Sequence, residues 1–144
     1  MQLKSRQKKA KTTKPTELRS RIMRAIRSKG TKPELAVEQW LRSARYKPRL
    51  HHTGLPGRPD FVLPRIKTVI FVHGCFWHGH KCKRGGRVPG TNVEYWVNKL
   101  ARNKLRDASS VRKLRRLGWR VITVWECQTA NDRHRYRLLG KIRR

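Results

Sequence analysis

A chain of 144 residues has the length of one ordinary domain. Its 38 lysines and arginines against 8 acidic residues give a formal charge of +30, which favours a polyanionic partner, nucleic acid above all. The sequence contains neither a long apolar span nor the apolar stretch of a signal peptide, so we expect an intracellular protein with no membrane partner.

The N-terminal third is predicted to contain a disordered arm and two helices. Residues 1–15 are rich in lysine and poor in large apolar residues, as in a disordered basic arm, whereas residues 16–144 are expected to form one domain. A short helix should follow over residues 16–29. Thr31 and Glu34 have capping-box spacing and open a second helix. The apolar residues of that helix are Leu35, Val37, Trp40 and Leu41.

Two strands and a loop are predicted in the middle of the chain. The turn-forming residues 55–59 precede a short strand over residues 60–63. Residues 68–72 are a continuous apolar run of strand composition, as expected for a strand that is buried on both faces of a sheet. A loop over residues 74–90 follows, and its first part is dense in histidine, cysteine and aromatic residues.

A long helix and one more strand are predicted in the C-terminal half. Residues 91–94 again have capping-box spacing, and apolar residues recur at helical intervals until Gly118. These are Trp96, Leu100, Leu105, Ala108, Leu114 and Leu117. Strand composition returns over residues 119–125, and the basic tail after Asp132 is predicted to form a terminal helix. This order of elements indicates an α/β fold in which helices flank a small mixed central sheet.

The three cysteines and the histidines near them form a pattern typical of a zinc site. Cys75 and Cys82 lie in one short loop, and Cys127 lies at the end of the last strand. If that strand is adjacent to the strand over residues 68–72, Cys127 reaches the loop, and His80 beside Cys82 completes a Cys₃His set. Alternatively, the cysteines are small residues of the core. A closed four-ligand site would be structural, so we expect the chemistry elsewhere.

Asp60, His73 and His78 are the candidates for that chemistry. Asp60 begins a strand, where a carboxylate is a suitable ligand for Mg²⁺, and phosphodiester cleavage needs a divalent ion at the scissile phosphate. A nearby imidazole can accept a proton from the attacking water or donate a hydrogen bond to phosphate. Taken alone, Asp60 could instead form a turn after proline, and His73 could be a buried core histidine.

Four stretches of the sequence resemble the very short patch repair endonucleases. They are residues 23–26, 55–61, 73–82 and 117–127, and the pattern HGCFWHxHxC among them is highly specific. The resemblance implies a restriction-endonuclease-like fold and a Mg²⁺-dependent enzyme that nicks one DNA strand 5′ to the T of a T·G mismatch. Such mismatches arise from deamination of 5-methylcytosine, and the nick initiates very short patch repair.

The resemblance also implies roles for individual residues. Asp60 and the backbone carbonyl of Val72 would be ligands of Mg²⁺, and His73 and His78 would be the catalytic histidines, either of which could be the principal general base. Glu34 falls where the family has a glutamate near the active site, and its local sequence is equally consistent with a capping role. The best-known family pattern has Thr in place of Val72, a difference that leaves the backbone carbonyl intact. The implied zinc ligands are Cys75, His80, Cys82 and Cys127.

Aromatic side chains in the zinc-bearing loop are suited to unstack a base step in DNA. Phe76 and Trp77 lie between the two candidate catalytic histidines, and a wedge of this kind costs about a few kcal/mol, less at a mismatch. The resemblance assigns Phe76, Trp77 and Trp96 to the wedge, and it places Met23 and Arg24 among the DNA contacts. The alternative for these rings is packing in the core, and for Trp96 the sequence favours neither the wedge nor the core. Core packing is favoured for Trp40, Trp119 and Trp125.

Two other functions are consistent with the sequence. One is a zinc-stabilised nucleic-acid-binding module without catalysis, and the other is a restriction-type nuclease with another target. For the mismatch enzyme we expect a monomer that acts on double-stranded DNA in the bacterial cytoplasm, associated with the nucleoid, with mismatch-repair proteins as candidate partners.

Overall fold

A computed structural model describes residues 29–144. The predicted basic arm over residues 1–15 and the candidate DNA contacts Met23 and Arg24 lie outside the described residues. So does the predicted helix over residues 16–29, apart from its last residue. Among the described residues, no helix is both long enough and apolar enough to cross a membrane.

The centre of the described structure is a four-stranded mixed sheet. Strand β1 (Arg49–Leu50) pairs antiparallel with β2 (Phe61–Leu63), β2 pairs antiparallel with β3 (Thr68–His73), and β3 pairs parallel with β4 (Arg120–Trp125). The three predicted strands are therefore present, each with one end displaced by one residue, and the small mixed sheet is confirmed. Strand β1 was not predicted, because two residues are too short for any alternation to be recognised.

Helices cover both faces of the sheet, which explains why β3 is buried on both sides. Helix α1 (Lys32–Ser43) and the C-terminal helix α3 (Asp132–Arg143), which the basic tail was predicted to form, pack on one face. The long helix α2 (Val93–Arg116) packs on the opposite face. The first core includes Val37, Leu41, Ile70 and Leu138, and the second includes Val62, Val69, Phe71 and Leu114. Each fully buried side chain of this kind contributes roughly 1.5–3 kcal/mol through removal of apolar surface from water.

The two predicted capping boxes differ in outcome. At α1, the Thr31 hydroxyl oxygen accepts a hydrogen bond from the Glu34 N–H, and the Glu34 carboxylate accepts one from the Gly30 N–H at 2.9 Å, so the helix start is confirmed. At α2, the N-cap is Asn92, which has a left-handed backbone (φ 56°), and within residues 29–144 its side chain makes no capping hydrogen bond. The predicted box over residues 91–94 is therefore wrong, because the helix begins only at Val93.

Several of the leucines that marked the predicted helices are exposed. Leu35 is 55% exposed, Leu105 is 71% exposed and Leu117 is 56% exposed. Leu105 lies five positions after the buried Leu100, which places the two side chains about 140° apart around an α-helix. Both cannot contact the sheet, so α2 contributes fewer core residues than its composition suggested.

The parallel pairing of β3 with β4 brings the candidate site residues to one edge of the sheet. His73 lies opposite Trp125 at the ends of the two strands, and a 3₁₀ turn (Glu126–Gln128) follows β4. Cys127 therefore lies at the same edge as the loop that leaves β3, as the sequence predicted. Strand β2 pairs with β3 only as far as Ile70, so the last residues of β3 face the segment around Asp60 instead of a strand.

Candidate active site and metal centre

A pocket of about 230 Å³ opens between the end of β3 and helix α2. Its polar lining combines three carboxylates, two imidazoles and two guanidinium groups. These are Glu34, Asp60 and Asp107, His73 and His78, and Arg58 and Arg106. The predicted catalytic residues are thus brought together in one cavity, and the cations beside them suit a phosphate.

Asp60 lies at the floor of this pocket with its carboxylate held by the backbone of β3. The Val72 N–H donates a hydrogen bond to Asp60 Oδ2 at 2.7 Å. Burial raises the pKa of Asp60 from 3.8 to about 6, against the effect of the Val72 hydrogen bond, and the negative charge of Glu34 raises the pKa as well. A carboxylate that is partly desolvated beside another carboxylate is stabilised by a bound cation, so the donor set fits a divalent metal.

Val72 contributes backbone groups to the same position. In an extended strand the N–H and C=O of one residue point to the same edge, as the paired bonds of antiparallel ladders require. Because the Val72 N–H points at Asp60, the Val72 carbonyl also faces the segment that carries Asp60. A carboxylate and a backbone carbonyl are oxygen ligands of the type that Mg²⁺ prefers.

His73 and His78 form a stacked pair of imidazoles. Their ring centroids are 3.8 Å apart and their planes are inclined by only 6°. Burial, together with the neighbouring His78, lowers the pKa of His73 to about 4, against the opposing charge of Asp107. His73 is therefore neutral at pH 7.

Asp107 on helix α2 orients His78 and was not predicted as a site residue. The Nδ1–H of His78 donates to Asp107 Oδ2 at 2.6 Å, which leaves Nε2 of the neutral ring as an acceptor. The sequence carried one faint signal, because an acid in a strongly cationic helix is unusual in a chain with eight carboxylates. The pairing itself, across 29 positions, depends on how α2 packs on the sheet.

Glu34 has the two roles that the sequence left open. Its side chain is 8% exposed, and its second carboxylate oxygen accepts the Thr31 hydroxyl at 3.0 Å as part of the helix cap. It also lines the pocket, with Oε2 3.7 Å from His51 Nε2. Capping the helix and lining the active-site pocket are therefore compatible.

The four predicted zinc ligands lie together beside the pocket. One ligand atom from each of Cys75, His80, Cys82 and Cys127 lies within 4.8 Å of all the others. Cys127 Sγ is 3.5 Å from His80 Nδ1, and the Cys127 N–H donates to Cys75 Sγ at 3.4 Å. His78 faces away from this set and contacts Asp107 instead. This arrangement agrees with the prediction that His80, and not His78, is the fourth ligand.

The chemistry of this set fits a tightly bound soft cation. The backbone N–H of Gly85, together with His80, lowers the pKa of the Cys82 thiol to about 6, which favours the thiolate. Burial raises the pKa of Cys75 to about 12, so a thiolate at Cys75 requires a compensating positive charge. Gly85 is needed for the loop to close, because a Cβ there would lie 1.9 Å from the His80 carbonyl oxygen.

The aromatic rings of the loop form a half-buried cluster with helix α2. Phe76, Trp77 and Trp96 have ring centroids 5.0–6.0 Å apart, in tilted and edge-to-face arrangements. The Lys99 ammonium group lies over Trp77, 5.3 Å from the ring centroid, and the Asn103 amide donates to the Trp77 carbonyl at 2.9 Å. The rings thus pack on one another while keeping a solvent-facing side. Of the other tryptophans, Trp40 is in the core, as predicted.

Lys99, Asn103 and Asp107 hold the loop over residues 74–90 from one face of α2. They recur every four residues, so their side chains project from the same side of the helix. Lys99 and Asn103 contact Trp77, and Asp107 contacts His78. This face of α2 therefore fixes the aromatic cluster and the half-buried His78, a candidate catalytic residue, relative to each other.

Comparison with known proteins gives concordant matches. The model of the family described as DNA mismatch endonuclease Vsr matches residues 10–84. The chain is 46% identical over 115 residues to the type II nicking enzyme V.XorIIP of Xanthomonas oryzae pv. oryzae, covering 80% of the chain and 84% of that protein. It is 44% identical over 109 residues to the DNA mismatch endonuclease Vsr of Escherichia coli, covering 76% and 69%.

A solved structure matches the fold. The catalytic domain of the homing endonuclease I-Bth0305I aligns with a TM-score of 0.52 at 20% identity, covering 78% of the chain and 94% of that domain. At this level of identity the match concerns the fold alone. The sheet and its flanking helices are thus an arrangement that also occurs in a nuclease catalytic domain.

Proposed function

The chain belongs to the family of the DNA mismatch endonuclease Vsr, and from that premise we propose that it nicks one strand of double-stranded DNA 5′ to the T of a T·G mismatch. The mismatch would arise from deamination of 5-methylcytosine, and the nick would initiate very short patch repair. The observation that carries the proposal is the single pocket in which Asp60, His73 and His78 meet. Relatives named as mismatch endonuclease or nicking enzymes support cleavage of one strand.

We propose that the metal of this reaction is Mg²⁺, held by Asp60 and the Val72 carbonyl. When bound, the ion offsets negative charge on the scissile phosphate. Asp60 is suited to hold it because its carboxylate is fixed by the Val72 N–H and is raised in energy by burial. Glu34 lies within reach of the same position and adds a second negative charge.

His78 is the proposed general base. Asp107 fixes its Nδ1–H, so Nε2 is presented with a lone pair and can take the proton of the attacking water as the water oxygen bonds to phosphorus. The bond from phosphorus to the leaving ester oxygen breaks in the same displacement, and that oxygen takes a proton from solvent. The Asp107 carboxylate then stabilises the imidazolium that results. His73 is a weaker base because its pKa is about 4, and we assign it the role of a neutral hydrogen-bonding group at the phosphate.

Arg58 and Arg106 are the proposed phosphate contacts. Both line the pocket and are exposed at its mouth. Guanidinium groups match the geometry of phosphate oxygens and become more favourable partners as negative charge develops in the transition state. Arg58 has a left-handed backbone (φ 51°), which turns the chain sharply just before Asp60.

The zinc-bearing loop is proposed to present the wedge that opens the mismatch. The Zn²⁺ ion held by the Cys₃His set would be structural and would keep the loop rigid. Phe76, Trp77 and Trp96 would then enter the base stack together, since they already pack as a unit. Met23, Arg24 and the basic arm would contact the adjacent DNA. We also propose that the chain acts as a monomer at the nucleoid, alongside mismatch-repair proteins.

A nicking assay with matched duplexes tests this function. Oligonucleotide duplexes labelled on each strand, identical except for T·G or T·A at one position, are incubated with the zinc-loaded chain and Mg²⁺. We expect a nick only in the T-containing strand of the T·G duplex. Equal cleavage of both duplexes would favour a restriction-type nuclease. DNA binding without cleavage in any divalent ion would favour a binding module.

Two variants connect the activity to the pocket. Asp60→Ala should abolish nicking while zinc content and DNA affinity remain unchanged. Asp132→Ala removes an exposed aspartate at the start of α3 and serves as the matched control, with activity close to that of the unaltered chain. If Asp60→Ala nicked as fast as Asp132→Ala, Asp60 would not be the metal ligand.

A further inference from the structure

A histidine outside the predicted site lies against its two carboxylates. His51 follows β1, and its Nε2 is 3.7 Å from Glu34 Oε2. One ligand atom from each of Glu34, His51 and Asp60 lies within 4.8 Å of the others. The backbone N–H of His51 also donates to the Asp60 carbonyl at 2.9 Å, which ties the two residues together. The side chains of Glu34, His51 and Asp60 thus form a compact set on one side of the pocket.

The spacing in this set suits a shared cation better than a direct hydrogen bond. At 3.7 Å the imidazole and the Glu34 carboxylate are too far apart for a good hydrogen bond. Ligands of one ion with bonds of about 2.1 Å are separated by roughly 3 Å when adjacent and roughly 4 Å when opposite, which brackets the 3.7 Å between Glu34 Oε2 and His51 Nε2. The His51 side chain is 27% exposed, so an ion can reach it from solvent.

The remaining contacts leave the set able to bind a cation. Each Glu34 oxygen accepts one hydrogen bond, from the Gly30 N–H or the Thr31 hydroxyl, and each keeps a further lone pair. Two ionised carboxylates carry a charge of −2, which a divalent ion compensates. His51 itself has a left-handed backbone (φ 48°), so its ring projects from a sharp bend beside Asp60.

We propose that Glu34, His51 and Asp60 form a divalent-cation site in which His51 is a direct ligand and which therefore prefers Mn²⁺ to Mg²⁺. This inference rests on the proposed function only in its use of Asp60 as a metal ligand. Mg²⁺ retains its waters and favours oxygen ligands in strict octahedral geometry, whereas Mn²⁺, a first-row transition ion, accepts an imidazole ligand more readily than Mg²⁺ does. An imidazole ligand at this position therefore weakens the binding of Mg²⁺ relative to that of Mn²⁺.

Binding of Mn²⁺ alone, measured by electron paramagnetic resonance, tests the site without any reference to activity. The full chain is first loaded with zinc so that the cysteine set is filled, and the loss of the free Mn²⁺ signal is then titrated. We expect His51→Gln to weaken Mn²⁺ binding at least about tenfold and to remove the nitrogen coupling of a coordinated imidazole. His52→Gln is the matched control, because the neighbouring His52 ring instead accepts a hydrogen bond from the Gly54 N–H.

A third variant excludes the other imidazoles in the pocket. His73, His78 and Asp107 also lie close enough together to hold an ion, so His78→Gln is titrated in parallel. The proposal requires that His78→Gln bind Mn²⁺ as the unaltered chain does. Loss of binding or of nitrogen coupling in His78→Gln, with both retained in His51→Gln, would overturn it.

Nicking in the two ions separates this inference from the proposed function. If the chain nicks T·G duplexes, the ratio of rates in Mn²⁺ and Mg²⁺ should fall about tenfold in His51→Gln and stay constant in His52→Gln. A chain that binds Mn²⁺ through His51 but cleaves nothing would uphold the site and refute the nuclease. If the chain nicks T·G duplexes, but His51→Gln changes neither the ratio of the Mn²⁺ and Mg²⁺ rates nor the binding of Mn²⁺, the nuclease is upheld and the cation site is refuted.

Discussion

Replacing Asp60 with asparagine should make the metal-free protein more stable while it abolishes cleavage. The Asp60 carboxylate is buried beside Glu34, and its pKa of about 6 means that ionising it costs more in the folded chain than in the unfolded one. Asparagine is neutral, has nearly the same shape and can still accept the Val72 N–H through its carbonyl oxygen. The ionised Asp60 carboxylate thus destabilises the folded, metal-free chain, and a bound cation would offset this destabilisation.

The size of the effect follows from the pKa shift. A rise from 3.8 to about 6 corresponds to roughly 3 kcal/mol at pH 7.5, at about 1.4 kcal/mol per pKa unit. The asparagine amide must itself be desolvated, so we expect a net gain of about 1–3 kcal/mol in the free energy of unfolding. For a domain of this size that gain raises the melting temperature by on the order of 5 °C.

The dependence on pH identifies the carboxylate as the cause. Because the pKa of Asp60 is higher in the folded state, the unaltered chain binds a proton on folding between pH 6 and pH 4. Its stability relative to Asp60→Asn is therefore lowest above pH 6 and recovers as the pH falls. Below the unfolded-state pKa, about 3.8, the carboxyl is neutral in both states and the charge penalty is absent.

Chemical unfolding of the zinc-loaded chain and of Asp60→Asn, followed by tryptophan fluorescence at pH 7.5, 6, 5 and 4.5, measures the difference. We expect the stability advantage of the variant to shrink steadily as the pH falls. We also expect Mg²⁺ at about 10 mM, which exceeds the dissociation constant of a weak site, to stabilise only the unaltered chain. A variant that is less stable at pH 7.5, or an advantage that does not change with pH, would refute the reasoning.

Three further predictions concern the parts around Asp60. Asp107→Asn should lower the nicking rate about 100-fold or more with DNA affinity unchanged, because the His78 imidazolium loses its carboxylate; an unchanged single-turnover rate would contradict this. Cys82→Ala should lose the bound zinc, measured by mass spectrometry, and melt at a lower temperature; full zinc occupancy would exclude Cys82 as a ligand. Phe76→Ala should reduce the preference for T·G over T·A duplexes in binding by about tenfold, measured by fluorescence anisotropy, and equal preferences would assign the ring to packing.

The elements that the sequence predicted correctly are those determined by local pattern. The apolar run of β3 is recognisable because a strand that is covered on both faces needs no polar alternation. The Thr31–Glu34 cap is local to four residues and was equally clear. Residues 91–94 have the same spacing, yet Asn92 adopts a left-handed backbone there and α2 begins at Val93, so the spacing alone does not determine how the chain enters the helix.

The arrangement of the site needed more than local pattern. Cys127 could be placed beside Cys75 because one assumption, that β4 neighbours β3, was enough to fix the strand ends. Asp107 and His51 had no such indicator. Their partners are set by how α2 packs on the sheet and by a sharp backbone bend after β1, and neither feature has a periodic signature in the sequence.

The distribution of carboxylates would explain how so basic a chain performs the metal-dependent chemistry proposed for it. The chain has eight acidic residues, and three of them, Glu34, Asp60 and Asp107, line one pocket. A charge of +30 attracts DNA at any sequence, so attraction alone cannot select a site of cleavage. The pocket is the local exception, where negative charge would repel a phosphate that arrives without a cation. Under the proposed function, cleavage would require DNA and a divalent ion together. The proposed wedge, held to the same face of α2 as the Asp107–His78 pair, would bring a distorted mismatch to the pocket.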